Sequence, residues 1–546
     1  MRFFRRFNAA ATRLSRPLPG ALILPVLLSV LVGACAITEA DIDTWKGTVR
    51  GPGRIVAVLS SPRYHDDLRI RAGLALVEME RSDVDGVAEL QTAVRALPEA
   101  DRTRIVDGMA QSPTGLLALM RGEGAAASAT PPGPNDPPPP IEVRAKDASF
   151  LLLQYASPPV RQQMTDGVVG WFTVDFNGRN LSGSFSAEQV VRQLGAPACV
   201  QLVDAMTARI PQAALVQIVL LISQLADDTT KASAGARIVA IEHEMEGPEF
   251  GTWLHDRITN QATASGRTLT PELLTTTTEL NREGFITQGA LPAMHNLGDQ
   301  PAVQARLMEI AQQTAAPPPT TARALEDRRV TALQALEGHT PPGSTQVLLA
   351  LALNAASPDR VRDYAFDRVA DAHDRSVIPQ LWPLATQTNA ENDHTIWRVR
   401  WRVGTLLLTI GGADIVTEWF TRLPVGEHIR YAREELHGYA ERLAQIRPEP
   451  TATVRAQLAS PDWAHQVIAL YYFDRAGTMA DLPALQAMTT STVATHGDHW
   501  DAHATIGTIA GEASTSIMER AATASADAAA GAATAPTPTP AAPAAH

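Results

Sequence analysis

An all-α fold, an α-solenoid of antiparallel helical pairs, is predicted for this 546-residue chain by three features. Apolar residues recur at helical spacing, with Val361, Ala365 and Val369 on one face and Asp359, Arg362, Asp363 and Asp367 mostly on the other. A phrase, "ASPDRVRDYAFD" (356–367), has relatives in "ASPPVRQQM" (156–164), "ASPDWAHQVIA" (459–469) and, more loosely, "SSPRYHDDLRIRA" (60–72). The intervals Ser61 to Ser157, Ser157 to Ser357 and Ser357 to Ser460 are 96, 200 and 103 residues. All lie near multiples of roughly 33, within the range of helical-pair repeats.

Each phrase reads as a helix start. Ser357 is expected to cap the helix, Pro358 to take the first helical position, where its missing N–H costs nothing, and Asp359 to complement the positive end of the dipole. The same logic applies to Ser157-Pro158 and Ser460-Pro461. Further starts are expected near Thr321, His394 and Glu427, with apolar helices such as "STQVLLALAL" (344–353), "SVIPQLWPL" (376–384) and "ADIVTEWF" (413–420) between them. "VVGWFTVDFNGRNLSGSF" (168–185) admits a hairpin around Asn177-Gly178. A helix ending there is preferred, because Val160, Met164, Val168 and Phe172 keep helical spacing.

The stretch "PDRVRDYAFDRV" (358–369) resembles the second helix of HEAT repeats, and "RVTALQAL" (329–336) and "DLRIRAGLAL" (67–76) match more loosely. The resemblance implies that small residues such as Ala365 and Ala332 let helices approach closely and that Asp and Arg near the helix start link neighbouring repeats. The Trp-Leu-Gly-Tyr pattern of tetratricopeptide repeats is absent. The expected organisation is a signal segment at 1–34, N-terminal helical repeats at 35–121, a Pro-rich linker or loop at 122–141, central repeats at 142–316, HEAT-like repeats at 317–519 and a disordered Ala/Pro/Thr tail at 520–546.

The N-terminus has a basic region, an apolar core ("ALILPVLLSVLV", 21–32) and small residues before Cys35. That core is shorter than the roughly 20 residues needed to span a bilayer, and its layout is that of an export signal. "LVGAC" (31–35) resembles the lipobox of bacterial lipoproteins. The resemblance implies cleavage before Cys35, acylation of its thiol and new amino group, and a lipid-anchored place in the cell envelope. Ala36 rather than Asp after the Cys favours the outer membrane. Arg5-Arg6 invites a twin-arginine reading, from which "FRRFN" (4–8) departs. With Cys35 acylated, Cys199 has no disulfide partner and reads as a small buried hydrophobe.

Net charge is −12, and residues 1–34 carry five Arg and no acid, so the chain from Cys35 carries −17. Such acidity argues against nucleic acid as a partner. The basic residues are Arg except for Lys46, Lys146 and Lys231, which reads as GC-rich coding rather than a binding surface.

Catalytic motifs are absent: no nucleophile elbow, no phosphate loop, no S-x-x-K and no H-E-x-x-H, Gly247 standing where the second His after His243-Glu244 would be. No cofactor is expected beyond the lipid at Cys35. Two constellations remain. In "THGDHWDAH" (495–503), His496, His499 and His503 would share one face of a helix and could hold a metal, although Gly497 weakens that helix and a solvated loop or capping helix fits as well. Trp397 and Trp401, interleaved with Arg398, Arg400 and Arg402, could form a partner-binding surface of Trp397, Arg398, Trp401 and Arg402. Alternatively the Trp pair faces the core with the Arg stems at its edge. The leading expectation is a membrane-anchored, non-enzymatic scaffold that binds another envelope protein. The rivals are a metal-binding or metal-dependent enzyme using the His cluster, and a self-associating structural envelope protein.

Overall fold

The computed structural model describes residues 37–121, 141–174, 184–315, 320–388, 396–426, 429–495, 500 and 503–533. Among them the fold is all-α. The first helices are α1 (Glu39–Trp45), α2 (Gly51–Ser60), α3 (Asp66–Glu78), α4 (Gly86–Ala96), α5 (Glu99–Gln111), α6 (Leu116–Met120), α7 (Ile141–Leu152), α8 (Pro158–Val174), α9 (Ala187–Leu194) and α10 (Ala196–Ala205). There follow α11 (Gln212–Leu225), α12 (Asp228–Glu246), α13 (Pro248–Ala264), α14 (Pro271–Phe285), α15 (Leu291–His295), α16 (Pro301–Gln312), α17 (Ala322–Ala335), α18 (Thr345–Leu353) and α19 (Asp359–Ala372). The last are α20 (Ile378–Ala385), α21 (Ile396–Gly411), α22 (Val416–Arg422), α23 (Arg433–Gln445), α24 (Thr451–Ala456), α25 (Trp463–Ala476), α26 (Leu482–Met488) and α27 (Ile506–Ala533). The only extended pairing among the described residues is an isolated antiparallel bridge between Ala494 and Thr505.

Two compact units form, Met1–Met206 with Gln224–Thr230, and Thr207–Ser223 with Lys231–His546. In the first, α7 packs on α3 and α4, so helices on both sides of the Pro-rich stretch share one core that runs from Ile42 to Val190. Of the linker or loop expected at 122–141, residues 122–140 lie outside the described residues, and the helices that flank it belong to one core. No boundary falls at 316 either, because α16 packs on α17. In the second unit α17, α19, α21, α23, α25 and α27 form an unbroken series, each packed on the next, while α16, α18, α20 and α26 pair with the series helix that follows each in sequence. Such neighbour-only packing is the signature of a solenoid.

The repeated phrase has a different local role from the one expected. α19 starts at Asp359 with Pro358 as the cap residue, and the Ser357 hydroxyl instead accepts from Arg329 Nη2 at 3.3 Å. α25 is capped by Asp462, whose carboxylate accepts from the N–H groups of Ala464 and His465, while Ser460 Oγ accepts from Asp462 N. α3 begins at Asp66, and Ser61 caps the C-terminus of α2. Pro158 does open α8, and Thr321 caps α17 through a 3.1 Å bond from Ala324 N. The starts expected near His394 and Glu427 lie outside the described residues; α21 is in place by Ile396, and α23 begins only at Arg433.

What recurs in three dimensions is an arginine. Arg69, Arg102, Arg161 and Arg362 each sit at the fourth residue of α3, α5, α8 and α19. Each donates to carbonyls at the C-terminal end of the preceding helix: Arg69 Nε to Leu59 O (3.0 Å), Arg102 Nη2 to Leu97 O (2.8 Å), Arg161 Nε to Leu153 O (3.1 Å) and Arg362 Nε to Ala352 O (3.1 Å). Arg329, further along α17, does the same to Ala311 O at 3.0 Å. The last carbonyls of a helix lack intrahelical donors and carry partial negative charge, so a guanidinium there satisfies both needs. Arg69 and Arg102 are 33 residues apart, as are Arg329 and Arg362.

Val361, Ala365 and Val369 are fully buried on α19, as their spacing predicts, and Ala332 is likewise buried. α8 runs to Val174 with Val160, Met164 and Val168 buried, while Asn177-Gly178 lie outside the described residues. α27 continues to Ala533, past residue 520, where the composition suggested disorder. Alanine is the strongest helix former, and a helix nucleated by buried Ile506, Ile509, Ala510, Ala513 and Ile517 can propagate without burying more. Cys199 is buried, and burial pushes its thiol up to about 11, as the reading of a small hydrophobe anticipates.

His465 is expected to give the second unit a pH dependence. Its Nδ1 lies 3.3 Å from Ser460 Oγ, its buried Nε2 has no partner, and burial holds it below the ordinary 6.5. Burial also lowers His437. Both stay neutral in the folded state where the unfolded chain would already take up protons. Their stabilisation is complete above pH 6.5 and is lost as pH falls through the folded values. The urea midpoint is expected to drop between about pH 7 and about pH 5. His465→Gln should flatten that drop, and an unchanged slope would exclude His465 as a source.

Candidate protein-binding cleft

The polar face of α19 carries Asp359, Asp363 and Asp367 at four-residue intervals, so they form one row facing α21. Arg398 of α21 pairs with Asp359 (2.7 Å) and Asp363 (3.3 Å), and Arg402 with Asp363 (3.3 Å) and Asp367 (3.8 Å). On the other side of α19, Arg360 reaches Asp327 of α17 at 2.6 Å. These exposed ladders join successive helices of the series, as the HEAT resemblance implies for Asp and Arg near a helix start.

Two concavities flank the ladder. One, of about 570 Å³, lies between α19, the end of α20 and α21, and is lined by Asp359, Arg362, Asp363, Phe366, Leu384, Arg398 and Arg402. The other, of about 280 Å³, lies between α19, α21 and α23, and is lined by Phe366, Asp367, Trp401, Arg402, Thr405, Glu441, Arg442 and Gln445 among others. Trp401 is half-buried against Gly438, with the Arg402 guanidinium 5.7 Å from its ring centroid. A Cβ at residue 438 would come within 2.2 Å of Trp401 Nε1, so glycine there is what lets the indole edge approach α23.

Electrostatically the smaller cleft is unsettled. Burial raises the Asp367 carboxyl, with Arg402 and Arg368 opposing; Arg402 gives its Nε to Asp363 and meets Asp367 through Nη1 at 3.8 Å. Burial lowers Arg442, whose Nη1 donates to Gln445 Oε1 at 2.9 Å while its Nε has no partner, and Thr405 Oγ1 is also unpaired. The smaller cleft thus combines an aromatic wall with under-satisfied polar groups.

Three of the four expected partner-binding residues are thus described: Arg398, Trp401 and Arg402 meet at these clefts. Of Trp397 only its place in α21 is described. Arg400, between them in sequence, points the other way. It is fully buried and paired with Glu435 of α23 at 2.7 and 2.8 Å, with the Tyr431 ring 4.3 Å away and the Tyr439 hydroxyl 2.9 Å from Glu435 Oε1. The contributions of Asp367, Glu441 and Arg442 were missed. Only the i, i+4, i+8 aspartate row signalled the first of them.

His496 and His499 lie outside the described residues. His503 is exposed in a turn, within the segment closed by the Ala494–Thr505 bridge, where Trp500 Nε1 donates to Tyr431 O at 2.9 Å. Elsewhere Glu242, His243 and Glu246 approach one another closely enough to hold an ion. Their carboxylates are engaged by arginine, Glu242 by Arg306 at 2.8 and 3.1 Å and Glu246 by Arg306 and Arg328 at 2.8 and 2.7 Å.

No protein-family model matches the chain, and no curated protein is similar to it. Among solved structures, a crystal structure of Kap121p is similar over 91% of this chain and 47% of its own, at 11% identity and a TM-score of 0.35. Kap121p bound to Pho4p gives 11% identity over the same shares and a TM-score of 0.33. An engineered protein gives 14% identity over 86% of this chain and 98% of its own, with a TM-score of 0.19. The chain spans about half the length of Kap121p. Overlaps this slight assign no function, and the all-α repeat architecture stands on the helix order and packing described above.

Proposed function

We propose that this chain is a lipid-anchored, non-enzymatic scaffold of a bacterial cell envelope that takes a protein partner at the clefts between α19, α21 and α23. The observation that carries the binding role is the smaller cleft, where Trp401, the poorly neutralised Asp367 and the unpaired Arg442 Nε share one concavity. Aromatic and arginine side chains in such settings supply most of the energy of protein interfaces. The anchor is supported by the lipobox resemblance at "LVGAC", which would confine encounters to the membrane, outer in preference to inner.

Two measurements test it. The wild-type chain should yield an acylated N-terminal peptide beginning at Cys35 and stay with membranes through a high-salt wash, and Cys35→Ser should abolish the acylation and make the membrane association salt-sensitive. Identical processing and solubility of both would remove the anchor. For the partner, a photo-crosslinking residue at position 441 should capture one envelope protein in cells, and Trp401→Ala should reduce that product tenfold or more, the scale of a hot-spot loss of about 2 kcal/mol. Equal crosslinking from an exposed site such as position 280 would show that the cleft is not the binding face.

A further inference from the structure

Under the anchored reading, Ala36, Ile37 and Thr38 alone separate the acylated residue from α1. A chain spans at most about 3.3–3.6 Å per residue, so roughly 10–14 Å is the longest tether available. The seven residues of α1 add about 10 Å, so the corner that joins α1 to α2 is kept within roughly 25 Å of the acylated residue and can reach the lipid headgroups.

Residues 45–54, WKGTVRGPGR, contain three cations and no acid in a chain of net charge −12. Val49 at the tip is 86% exposed, more than any other large apolar side chain among the described residues. Lys46 is engaged by Asp43 and Glu78 at 2.9 and 2.7 Å. Arg50 and Arg54 are exposed and have no carboxylate partner among the described residues, and Arg54 lies over the half-buried Trp45 ring at 5.6 Å. Of the acids of α1, Asp41 accepts from Thr38 in a capping box and Asp43 pairs with Lys46 and Arg71, while Glu39, at the far end of the helix from the corner, is exposed.

The tip is held in place. Thr48 N donates to Trp45 O and Gly51 N to Thr48 O, both at 3.0 Å, and Arg81 Nη1 donates to the same Thr48 carbonyl. Gly51 packs so closely that a Cβ would lie 1.7 Å from Trp45 O. A rigid corner with an apolar tip, an aromatic edge and two unneutralised guanidiniums has the chemistry of an interfacial membrane contact, where apolar groups enter the acyl boundary and cations meet phosphate.

We propose that the α1–α2 corner docks on the membrane surface, Val49 and the edge of Trp45 entering the interface and Arg50 and Arg54 binding lipid phosphates. The geometry rests on the anchored reading, while the chemistry of the corner stands apart from it. Docking of this kind fixes which face of the first helices meets the bilayer.

Val49→Cys supplies a single labelling site, since Cys35 is acylated in the anchored form and Cys199 is buried. The labelled, acylated chain is reconstituted in vesicles of phosphatidylcholine with phosphatidylglycerol, using an environment-sensitive fluorophore and quenchers on the lipid tails. A blue-shifted label quenched by shallow quenchers is expected, and R50Q with R54Q should return it to water while the protein remains bound. The chain from residue 35 with Cys35→Ser should bind the same vesicles by itself, losing about fivefold in affinity for each arginine removed and about thirtyfold for both. A vesicle-bound acylated protein with its label in water overturns the docking and leaves the anchor intact. Corner-dependent binding by the Cys35→Ser form, with a wild type that is not acylated in cells, overturns the anchor and leaves the docking. No binding by the Cys35→Ser form overturns the corner's own affinity for lipid.

Discussion

Arg400→Met is expected to lower the stability of the second unit by about 3–5 kcal/mol, the scale seen when one partner of a buried ion pair is removed. Both Arg400 and Glu435 are fully buried, and burial raises the Glu435 carboxyl while Arg400 and the Tyr439 hydroxyl oppose it. Without Arg400, the carboxylate keeps only the Tyr439 hydroxyl and the nearby backbone, and the carbonyls of Gln387 and Arg430 lose their donors. Arg400→Met with Glu435→Leu should recover most of the loss, because a buried pair replaced by apolar groups of similar volume is often neutral. Urea midpoints of the two variants measure this. Equal destabilisation by the single and double variants would show that lost packing, not an orphaned charge, is responsible.

Arg306→Met is expected to have an effect of similar size, about 3–5 kcal/mol, with a distinguishing pH dependence. Arg306 meets Glu242, Glu246 and Glu309, and Arg328 meets Glu246 and Glu283, so the array holds a chain of carboxylates and guanidiniums in which Glu242 is fully buried. Burial raises the Glu242 carboxyl, with the Arg306 hydrogen bonds in opposition. Removing Arg306 removes that opposition, so Glu242 in the folded variant takes up a proton well above 4.5, where the unfolded chain does so. Folding then binds a proton, and the variant gains stability relative to wild type as pH falls towards 4.5. The midpoint deficit should be smaller near pH 5 than near pH 7, and a constant deficit would clear Glu242 of the role.

The local code of this fold was legible where it depends on neighbours in the chain. The apolar stripe of α19, the cap at Thr321 and the period near 33 follow from spacing alone. Ser357 misled because Ser-Pro-Asp can place its helix start at either of two residues, and the arginine of a neighbouring helix decides between them by claiming the hydroxyl. The Pro-rich stretch at 122–141 reads as a linker or a loop, and composition does not say which, yet α7 beyond it is buried on nearly every side. That burial requires partners far away in sequence, which composition does not reveal. Trp397, Arg398, Trp401 and Arg402 could be singled out from residue type and spacing with Arg400 left aside, but the burial of Arg400 against Glu435, 35 residues on, could not be read from the chain. The clefts were invisible for the same reason: Asp367 and Arg442 come from helices that meet only when the series packs.

Besides the buried ion pairs, two kinds of polar fastener join the helices, and salt acts on them unequally. Within a pair, an arginine seated on carbonyls is a short, partly sheltered contact that dissolved ions barely reach. Between α17, α19 and α21 the fasteners are exposed carboxylate–guanidinium pairs, whose attraction fades as the screening length shrinks from about 10 Å at 0.1 M to about 3 Å at 1 M. Ionic strength is thus expected to tune the joints from α17 to α21 around their apolar packing: each hairpin stays a stiff link, and these joints loosen somewhat in brine and tighten in dilute solution.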